Sequence, residues 1–317
     1  MSLDVGMLTR MAARGPFVRV LVAETRGSTP REAGAAMLVW GEGIEGTIGG
    51  GTLEWEAMAR AREVLATGRA RLERIALGPA MGQCCGGAVT LAYERFDAAS
   101  VPDPGQALHI RRIEGPEAMP LAVSRALARA RAAGVVPPLL VSGWVLEQSL
   151  IATTPVWIWG AGHVGRAIVS VLAPLPGLRL SWVDTGDDRF PVTPEGVTRL
   201  CAENPADLVS VTPPGARHFV LTYSHALDLE LCHRLLQHGF GALGLIGSAS
   251  KAARFRSRLR GLGHSDAQIL RIICPIGDPN LGKHPQAIAV GIAATLLRET
   301  SATRAAKAQT ISKGCAG

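Results

Sequence analysis

The sequence predicts an α/β protein in which a small α+β N-terminal domain precedes a Rossmann-like, doubly wound parallel sheet. The 317 residues exceed the usual size of one domain, and 47% of them are hydrophobic, which is enough for two cores. From residue 155 onwards, short apolar strands alternate with helical segments, the pattern of a parallel sheet covered by helices. We therefore expect an α+β domain at 1–97, a connector at 98–154 and the Rossmann-like domain at 155–317.

The first domain contains β-branched apolar runs and one amphipathic helix. Predicted strands lie at 17–23, 36–40, 71–77 and 88–95. The helix is predicted at 52–66 because apolar residues recur at helical spacing, with Thr52 as its N-cap and Gly68 as its stop. The last two strands flank a ten-residue loop, 78–87. The connector is proline-rich at its start and is predicted to hold a helix near 121–133 and a strand near 139–146.

In the second domain strands and helices alternate regularly. The predicted strands are 155–159, 178–183, 197–201, 218–223, 240–246 and 271–275. The predicted helices are 163–173, 226–238, 248–262 and 285–299. Right-handed crossovers between these strands would give a doubly wound sheet.

Composition excludes several classes of protein. Aromatic residues make up only 4% of the chain, which disfavours a surface that stacks single-stranded bases. No basic, apolar leader and no apolar run long enough to span a bilayer are visible, and six cysteines are too few for a disulfide scaffold. A soluble, reduced, cytoplasmic protein is expected. The net charge of +7 lies almost wholly in residues 151–317, which hold 17 basic and 11 acidic side chains.

A glycine fingerprint follows the first strand of the second domain. Gly160, Gly162 and Gly165 stand at the spacing of a dinucleotide-binding turn that opens a helix, and Asp184 ends the next strand. The predicted roles are phosphate binding at the helix amides and acceptance of a ribose hydroxyl by Asp184. The alternative is that the turn is kept only for packing between helix and strand.

Two polar groups in the second domain have both a functional and a structural interpretation. His225 and Asp228 follow a predicted strand and could transfer protons, or could serve as a helix cap and a surface contact. The segment Lys251–Arg260 holds five cations, among them Arg254 and Arg256. It is either a solvated helix face or a surface for an anionic ligand or partner.

The loop Gln83-Cys84-Cys85-Gly86-Gly87 is the least ordinary feature of the chain. Thiolates are soft donors and good nucleophiles, suited to a transition metal or to carrying sulfur as a persulfide. The flanking glycines allow the backbone to come close to a ligand. The alternative is a pair of small cysteines buried in a tight loop.

Two further loops are candidates for binding a phosphorylated ligand through backbone amides and guanidinium groups. Their candidate residues are Gly49, Gly50 and Gly51 in one loop and Arg26, Ser28, Thr29 and Arg31 in the other. Taken singly, each loop is more typical of a plain turn.

Together these segments resemble a known family. The resemblance rests on 25–31, 46–51, 77–87, 159–165, 187–190, 244–248 and 274–277, which appear in the order seen in the xanthine dehydrogenase accessory proteins of the XdhC/CoxI family. It implies a chaperone, and not a self-contained enzyme, that binds molybdenum cofactor in its molybdopterin form. Cys84 or Cys85 would contact the molybdenum or the transferred sulfur, while arginines and glycine-loop amides would hold the pterin phosphate.

The resemblance also implies partners. They are the large subunit of xanthine dehydrogenase, a cysteine desulfurase that supplies the terminal sulfido ligand, the nucleotidyltransferase that converts the cofactor to its nucleotide form, and a second copy of the chain. An NAD(P)-dependent oxidoreductase, resting on the Gly160–Gly165 fingerprint, is the alternative function. It would leave the cysteine loop and the first domain without a role. Neither a membrane nor a nucleic acid is an expected partner.

Overall fold

A computed structural model of the chain describes residues 2–78, 86–133, 137, 139–149 and 154–314. The chain divides into two compact units, the first ending at Ile151 and the second running from Ala152 to Lys313. The predicted fold class is confirmed, since an α+β unit precedes a parallel α/β sheet.

The first unit contains two sheets and three helices within the described residues. Its strands are β1 (Ser2–Leu3), β2 (Phe17–Arg26), β3 (Ala36–Val39), β4 (Ile44–Gly46), β5 (Arg71–Ala76), β6 (Ala88–Phe96), β7 (Leu108–Arg112), β8 (Leu140–Val141) and β9 (Trp144–Ser149). Its helices are α1 (Val5–Arg14), α2 (Gly51–Thr67) and α3 (Leu121–Ala133). Antiparallel pairing gives a five-stranded sheet of order β4-β3-β2-β6-β5. A second sheet joins β1, β9 and β7, with β8 also paired to β9.

The central strand β2 is apolar along most of its length because both of its faces are covered. Val18, Val20 and Val22 pack with α2 on one face, while Leu21 packs with residues of the second sheet, such as Val145, on the other. A strand buried on two faces reads as a continuous apolar run, which is the signal that predicts it.

The segment 98–154 was expected to be a connector, and the structure differs. Its strands β7, β8 and β9 form most of the second sheet, and they belong to the first unit. The predicted strand 139–146 is also two strands, because Ser142 and Gly143 take left-handed conformations (φ 49° and 81°) that turn the chain between them. This second sheet buries the apolar side chains on the face of β2 that points away from α2.

The N-terminus of α2 also differs from the prediction. Gly50, and not Thr52, is the N-cap residue, and Gly68 ends the helix in a left-handed conformation as expected. Consecutive left-handed glycines, Gly49, Gly50 and Gly51 (φ 132°, 78° and 65°), carry the chain into the helix. A residue with a Cβ would be strained at each of these positions.

The second unit is a six-stranded parallel sheet with helices on both faces. Its strands are β10 (Thr154–Trp159), β11 (Leu178–Asp184), β12 (Thr198–Cys201), β13 (Arg217–Val220), β14 (Ala242–Leu245) and β15 (Ile272–Ile273). Its helices are α4 (His163–Leu172), α5 (His225–His238), α6 (Ala249–Gly261), α7 (Asp266–Ile269) and α8 (Pro285–Gly314). The strand order β12-β11-β10-β13-β14-β15 reverses direction at β10, which is the order of the dinucleotide-binding fold.

Strand β10 distributes its side chains between the two cores of this unit. Val156 and Ile158 pack into the core beneath α4 and α8, whereas Trp157 and Trp159 pack into the core beneath α5 and α6. Alternation of side chains across a strand produces this division. The predicted strands 218–223, 240–246 and 271–275 are shorter in the structure, and the helix predicted at 285–299 extends to Gly314.

Candidate functional site

Three loops that are distant in the sequence lie side by side in the first unit. A Cβ atom on Gly87 would collide with the carbonyl oxygens of Arg26 and Ser28. Gly49 packs so closely on the same loop that a Cβ there would lie 2.5 Å from the Cβ of Pro30. The structure therefore brings the arginine loop, the glycine loop before α2 and the end of the cysteine loop together.

The backbone amides of the glycine loop before α2 already donate hydrogen bonds to a carboxylate of the chain itself. Glu54 Oε1 accepts hydrogen bonds from the amides of Ile48 (2.8 Å), Gly49 (3.2 Å) and Gly50 (3.0 Å) and from the Thr47 hydroxyl. Burial favours a higher pKa for Glu54, but these hydrogen bonds outweigh it and hold the pKa below its ordinary value. The amides of Gly49 and Gly50, predicted to hold a ligand phosphate, donate to Glu54 instead.

The arginine loop presents two guanidinium groups to solvent. Arg26 Nη2 lies 3.2 Å from Glu24 Oε1, and Arg31 Nε lies 3.7 Å from Glu32 Oε2. The Thr29 hydroxyl donates to the carbonyl oxygen of Arg31 (3.1 Å), which shapes the turn. Exposed ion pairs of this kind contribute little, so both arginines can exchange their partner for an anionic ligand.

Cys84 and Cys85, one of which was predicted to contact molybdenum or sulfur, and the cofactor-binding candidate Gln83 lie outside the described residues. Of their neighbours, Gly86 is exposed and Gly87 is buried against the arginine loop. Within the part of the chain that the structure describes, no group of three or more His, Cys, Asp or Glu could hold a metal ion. The role of the two cysteines stays a prediction.

A cleft of about 250 Å³ lies in the second unit at the carboxyl ends of β10 and β13. Gly160 (φ 124°) makes the tight turn after β10, and a Cβ on it would lie 2.5 Å from the carbonyl oxygen of Leu221. A Cβ on Gly165 would collide with the carbonyl oxygen of Gly160, so this glycine permits the close packing of α4. Gly162 is the N-cap residue of α4, and a Cβ there would meet nothing within 4 Å.

Asp184 holds the glycine turn. Its carboxylate is 4% exposed, and its Oδ2 accepts a hydrogen bond from the amide of Ala161 at 2.5 Å. Its Oδ1 accepts from the amide and the hydroxyl of Thr185 (2.7 and 3.2 Å) and lies 3.7 Å from Arg189 Nε. Asp184 was predicted to accept a hydrogen bond from a ribose hydroxyl, whereas in the structure most of its acceptor capacity is used within the protein.

Two arginines near this cleft were missed from the sequence. Arg189 lines the cleft, and its guanidinium carbon lies 5.0 Å from the ring centroid of Tyr223. Arg166 donates to the carbonyl oxygens of Ala161 and Arg189, at 2.9 Å each, and so ties the glycine turn to the segment after β11. The available signal for Arg189 was its place in a short polar segment directly after the strand that ends at Asp184.

The structure does not join His225 and Asp228 as an acid–base pair. Asp228 is fully buried, with Oδ2 2.6 Å from Lys251 Nζ and Oδ1 accepting from the amide (3.0 Å) and hydroxyl (2.8 Å) of Thr222. His225 is exposed, and no hydrogen bond or ion pair between it and Asp228 exists among the described residues. Ser224, and neither His225 nor Asp228, caps α5 by accepting from the Leu227 amide, and Asp228 lies in a buried ion pair instead of a surface contact.

The five cations of Lys251–Arg260 do not form one surface. Lys251 is buried against Asp228, and Arg260 Nε lies 2.6 Å from Asp266 Oδ1. Arg254, Arg256 and Arg258 are exposed on α6. Lys251 is therefore no part of the predicted surface for an anionic partner, whereas the four arginines of the segment are exposed.

Two family models match the chain. The model of the XdhC and CoxI family matches residues 11–76, and the model of the XdhC Rossmann domain matches residues 156–296. The chain belongs to the XdhC/CoxI family. The arginine and glycine loops of the first unit and the cleft of the second lie within the matched ranges, whereas Cys84 and Cys85 lie between them.

Relatives of this family member are similar along most of its length. The Escherichia coli K12 protein named "Uncharacterized protein YqeB" is 27% identical over 290 residues, which is 89% of this chain and 43% of that protein. The chain therefore spans less than half the length of this curated relative. A crystal structure described as a xanthine dehydrogenase from Bacillus halodurans matches with a TM-score of 0.69 and 18% identity, covering 95% of this chain and 96% of that one. At this identity the match is evidence for the fold of this XdhC/CoxI chain and for no other property.

In the described part of this XdhC/CoxI chain, no helix has the length and apolar character needed to cross a membrane.

Proposed function

We propose that this protein is an accessory factor in xanthine dehydrogenase maturation that binds molybdenum cofactor, in its molybdopterin form, as cargo. It protects the cofactor while a cysteine desulfurase installs the terminal sulfido ligand, and then passes it to the large subunit of xanthine dehydrogenase. It also contacts the nucleotidyltransferase that competes for the same cargo, and it acts as a homo-oligomer. Membership of the XdhC/CoxI family supports the accessory role.

The observation that carries the proposal is the convergence of the three loops in the first unit. Gly87, two residues after Cys85 in the sequence, packs against the backbone of Arg26 and Ser28. This contact supports a site that combines the two cysteines, which precede Gly87 closely in the sequence, with the two guanidinium groups. The cofactor is a molybdenum–dithiolene group on a pterin that ends in a phosphate, so it needs both kinds of contact.

The hydrogen bonds of the glycine loop support a phosphate contact at the arginines. Because Glu54 occupies the amides of Ile48, Gly49 and Gly50, a phosphate at this loop would have to displace a hydrogen-bonded carboxylate. Arg26 and Arg31 are held only by exposed ion pairs and offer planar forks that suit phosphate oxygens. We therefore assign the phosphate contact to these arginines and the molybdenum or sulfur contact to the cysteine pair.

The test is the amount of molybdopterin that the full chain retains when purified anaerobically from a molybdopterin-producing host. The variants are the double substitution Cys84→Ala/Cys85→Ala and, as a thiol control in the second unit, Cys201→Ala. Cys201 is exposed and hydrogen-bonded to Asp187, so its removal changes one accessible thiol without touching the three loops.

We expect the wild type and Cys201→Ala to carry molybdopterin and molybdenum by mass spectrometry and metal analysis, and the double variant to carry neither. Arg26→Gln/Arg31→Gln should lower retention while leaving the melting temperature unchanged, because surface ion pairs contribute little to stability. Undiminished retention by the double cysteine variant would overturn the cysteine assignment. A wild-type protein that carries no molybdopterin would overturn the proposed function.

A further inference from the structure

The cleft of the second unit has no part in the proposed function, yet it is built like a ligand site. It lies at the carboxyl edge of a parallel sheet, where the strand order reverses between β10 and β13. Ligands of open α/β sheets bind at this position, because adjacent crossovers leave in opposite directions and open a crevice. At about 250 Å³ the cleft is slightly smaller than the usual range of about 300–1,000 Å³, which suits one half of a dinucleotide.

One wall of the cleft is the N-terminus of α4. Gly162 is the N-cap residue in an extended conformation (φ −72°, ψ −175°), and no side chain caps this helix in the described part of the chain. His163 and Val164 of the first turn line the cleft, and in the described part of the chain no side chain accepts a hydrogen bond from their amides, which the helix itself leaves without a partner. In α2, by contrast, Glu54 supplies that acceptor.

The opposite wall carries a positioned cation. The Arg189 guanidinium rests on the Tyr223 ring at 5.0 Å, and the Arg189 carbonyl is held by Arg166 at 2.9 Å. Arg189 is 39% exposed in its side chain, and its contact with Asp184 is long, at 3.7 Å. Arg189 lines the cleft together with His163 and Val164 of α4.

Asp184 plays a different part from the acidic residue of many dinucleotide sites. Its carboxylate accepts one hydrogen bond from Ala161 in the glycine turn and two from Thr185, and so holds the turn. Because this carboxylate is buried, it leaves little room for a ribose diol. Of the segment that follows β11, the charged side chain that lines the cleft is therefore the Arg189 guanidinium.

We propose that this cleft binds a ribonucleotide through its phosphate, with the phosphate at the first-turn amides of α4 and against Arg189. In this arrangement Arg189 is the ligand-binding residue, and Asp184 is a positioning residue that holds the turn. The site is in a different unit from the cysteine loop. Nucleotide binding and molybdopterin retention are consequently separate readouts, and either can fail without the other.

The experiment is calorimetric titration of the full chain with 5′-AMP, NAD and NADP, with adenosine as the ligand that lacks phosphate. Three variants accompany the wild type. Gly162→Asp places a carboxylate at the N-cap of α4, where the added Cβ meets nothing within 4 Å. Arg189→Gln removes the cation. Arg179→Gln is the matched control, because Arg179 is exposed near the start of β11, whereas Arg189 follows the end of that strand.

We expect at least one of the three nucleotides to bind with a Kd below about 1 mM and adenosine not to bind. Arg189→Gln should raise that Kd at least about tenfold, since a hydrogen bond to a charged group is lost, while Arg179→Gln leaves it unchanged. Gly162→Asp should abolish binding while keeping or raising the melting temperature, because aspartate is a favourable N-cap residue. The proposal is overturned if none of the nucleotides binds, if adenosine binds as well as 5′-AMP, or if Gly162→Asp and Arg189→Gln bind like the wild type.

Discussion

Replacing Glu147 by glutamine removes the centre of the ion-pair network that fastens β9 to β2. The two carboxylate oxygens of Glu147 lie 2.8 Å from Nη1 and Nη2 of Arg19, in a bidentate pair. Glu147 also accepts from Arg111 Nη2 at 2.6 Å, and Arg111 Nε donates to Glu94 at 2.6 Å. Glu147 and Arg19 are 1% and 5% exposed, so solvent screens this pair little.

The size of the effect follows from the pKa of Glu147. Burial acts to raise this pKa, but attraction to and hydrogen bonds from Arg19 and Arg111 outweigh burial and lower it from 4.5 to about 2. At about 1.4 kcal/mol per pKa unit, the difference between the pKa values of the unfolded and the folded state corresponds to about 3 kcal/mol of unfolding free energy. Because the folded-state pKa is the lower one, this contribution is complete above about pH 4.5 and is lost as the pH falls towards 2.

The assay is urea unfolding of the full chain at a series of pH values from 7 down to 2.5, followed by hydrogen exchange of peptides from β2 and β9. These peptides report the first unit separately from the second. Glu147→Gln should lower the unfolding free energy by about 3 kcal/mol at pH 7. Its difference from the wild type should shrink below about pH 4.5, because the unfolded wild type then binds a proton that the native carboxylate, with a pKa of about 2, does not yet bind. Glu117→Gln, the same change at an exposed position, should stay within about 0.5 kcal/mol. A loss below about 1 kcal/mol at pH 7, or a difference independent of pH, would refute the reasoning.

Three further substitutions test contacts at the two sites. Gly87→Ala should cost about 1–3 kcal/mol in thermal melting because its Cβ meets backbone oxygens, while Gly86→Ala, whose Cβ meets nothing within 4 Å, should melt like the wild type. Lys251→Met should cost about 3–5 kcal/mol in urea unfolding by leaving Asp228 buried and unpaired, and adding Asp228→Asn should recover much of the loss. Glu54→Gln should cost about 1 kcal/mol at pH 7, and its gap to the wild type should close as the pH falls below about 4.5, because the Glu54 pKa is lowered. The first expectation is contradicted if the two glycine variants melt equally. The second is contradicted if the double variant is no more stable than Lys251→Met, and the third if the effect of Glu54→Gln does not depend on pH.

The parallel sheet of the second unit could be predicted because its signals are local. The run from Val156 to Trp159 is apolar at every position, as a strand buried on both faces must be. The glycine turn and the helix that follow are contiguous in the sequence. The strand ends were less accurate, since β13 stops at Val220, where Leu221 enters the wall of the cleft.

The second sheet of the first unit could not be predicted because its determinants are distant. Arg19 and Glu147 are separated by 128 positions, and each on its own looks like a polar residue in an otherwise apolar strand. A charged residue at a position whose neighbours are all buried indicates a partner of opposite charge, but it does not identify that partner. Strands as short as β1 and β8, two residues each, also fall below what periodicity can detect.

The two glycine loops of this protein show why a motif must be interpreted together with the helix that follows it. Both loops lead into a helix through glycine N-cap residues, Gly50 and Gly162, and both were predicted to bind phosphate on the same grounds. In the first loop Glu54 lies four residues after the N-cap and takes the amides for itself. In the second loop the ten residues of α4 contain no acid, and Arg166 at the corresponding position donates to the turn. In this protein the acid in the first turn of α2 therefore occupies the amides of its own glycine loop, whereas no acid of α4 competes for the amides at its N-terminus.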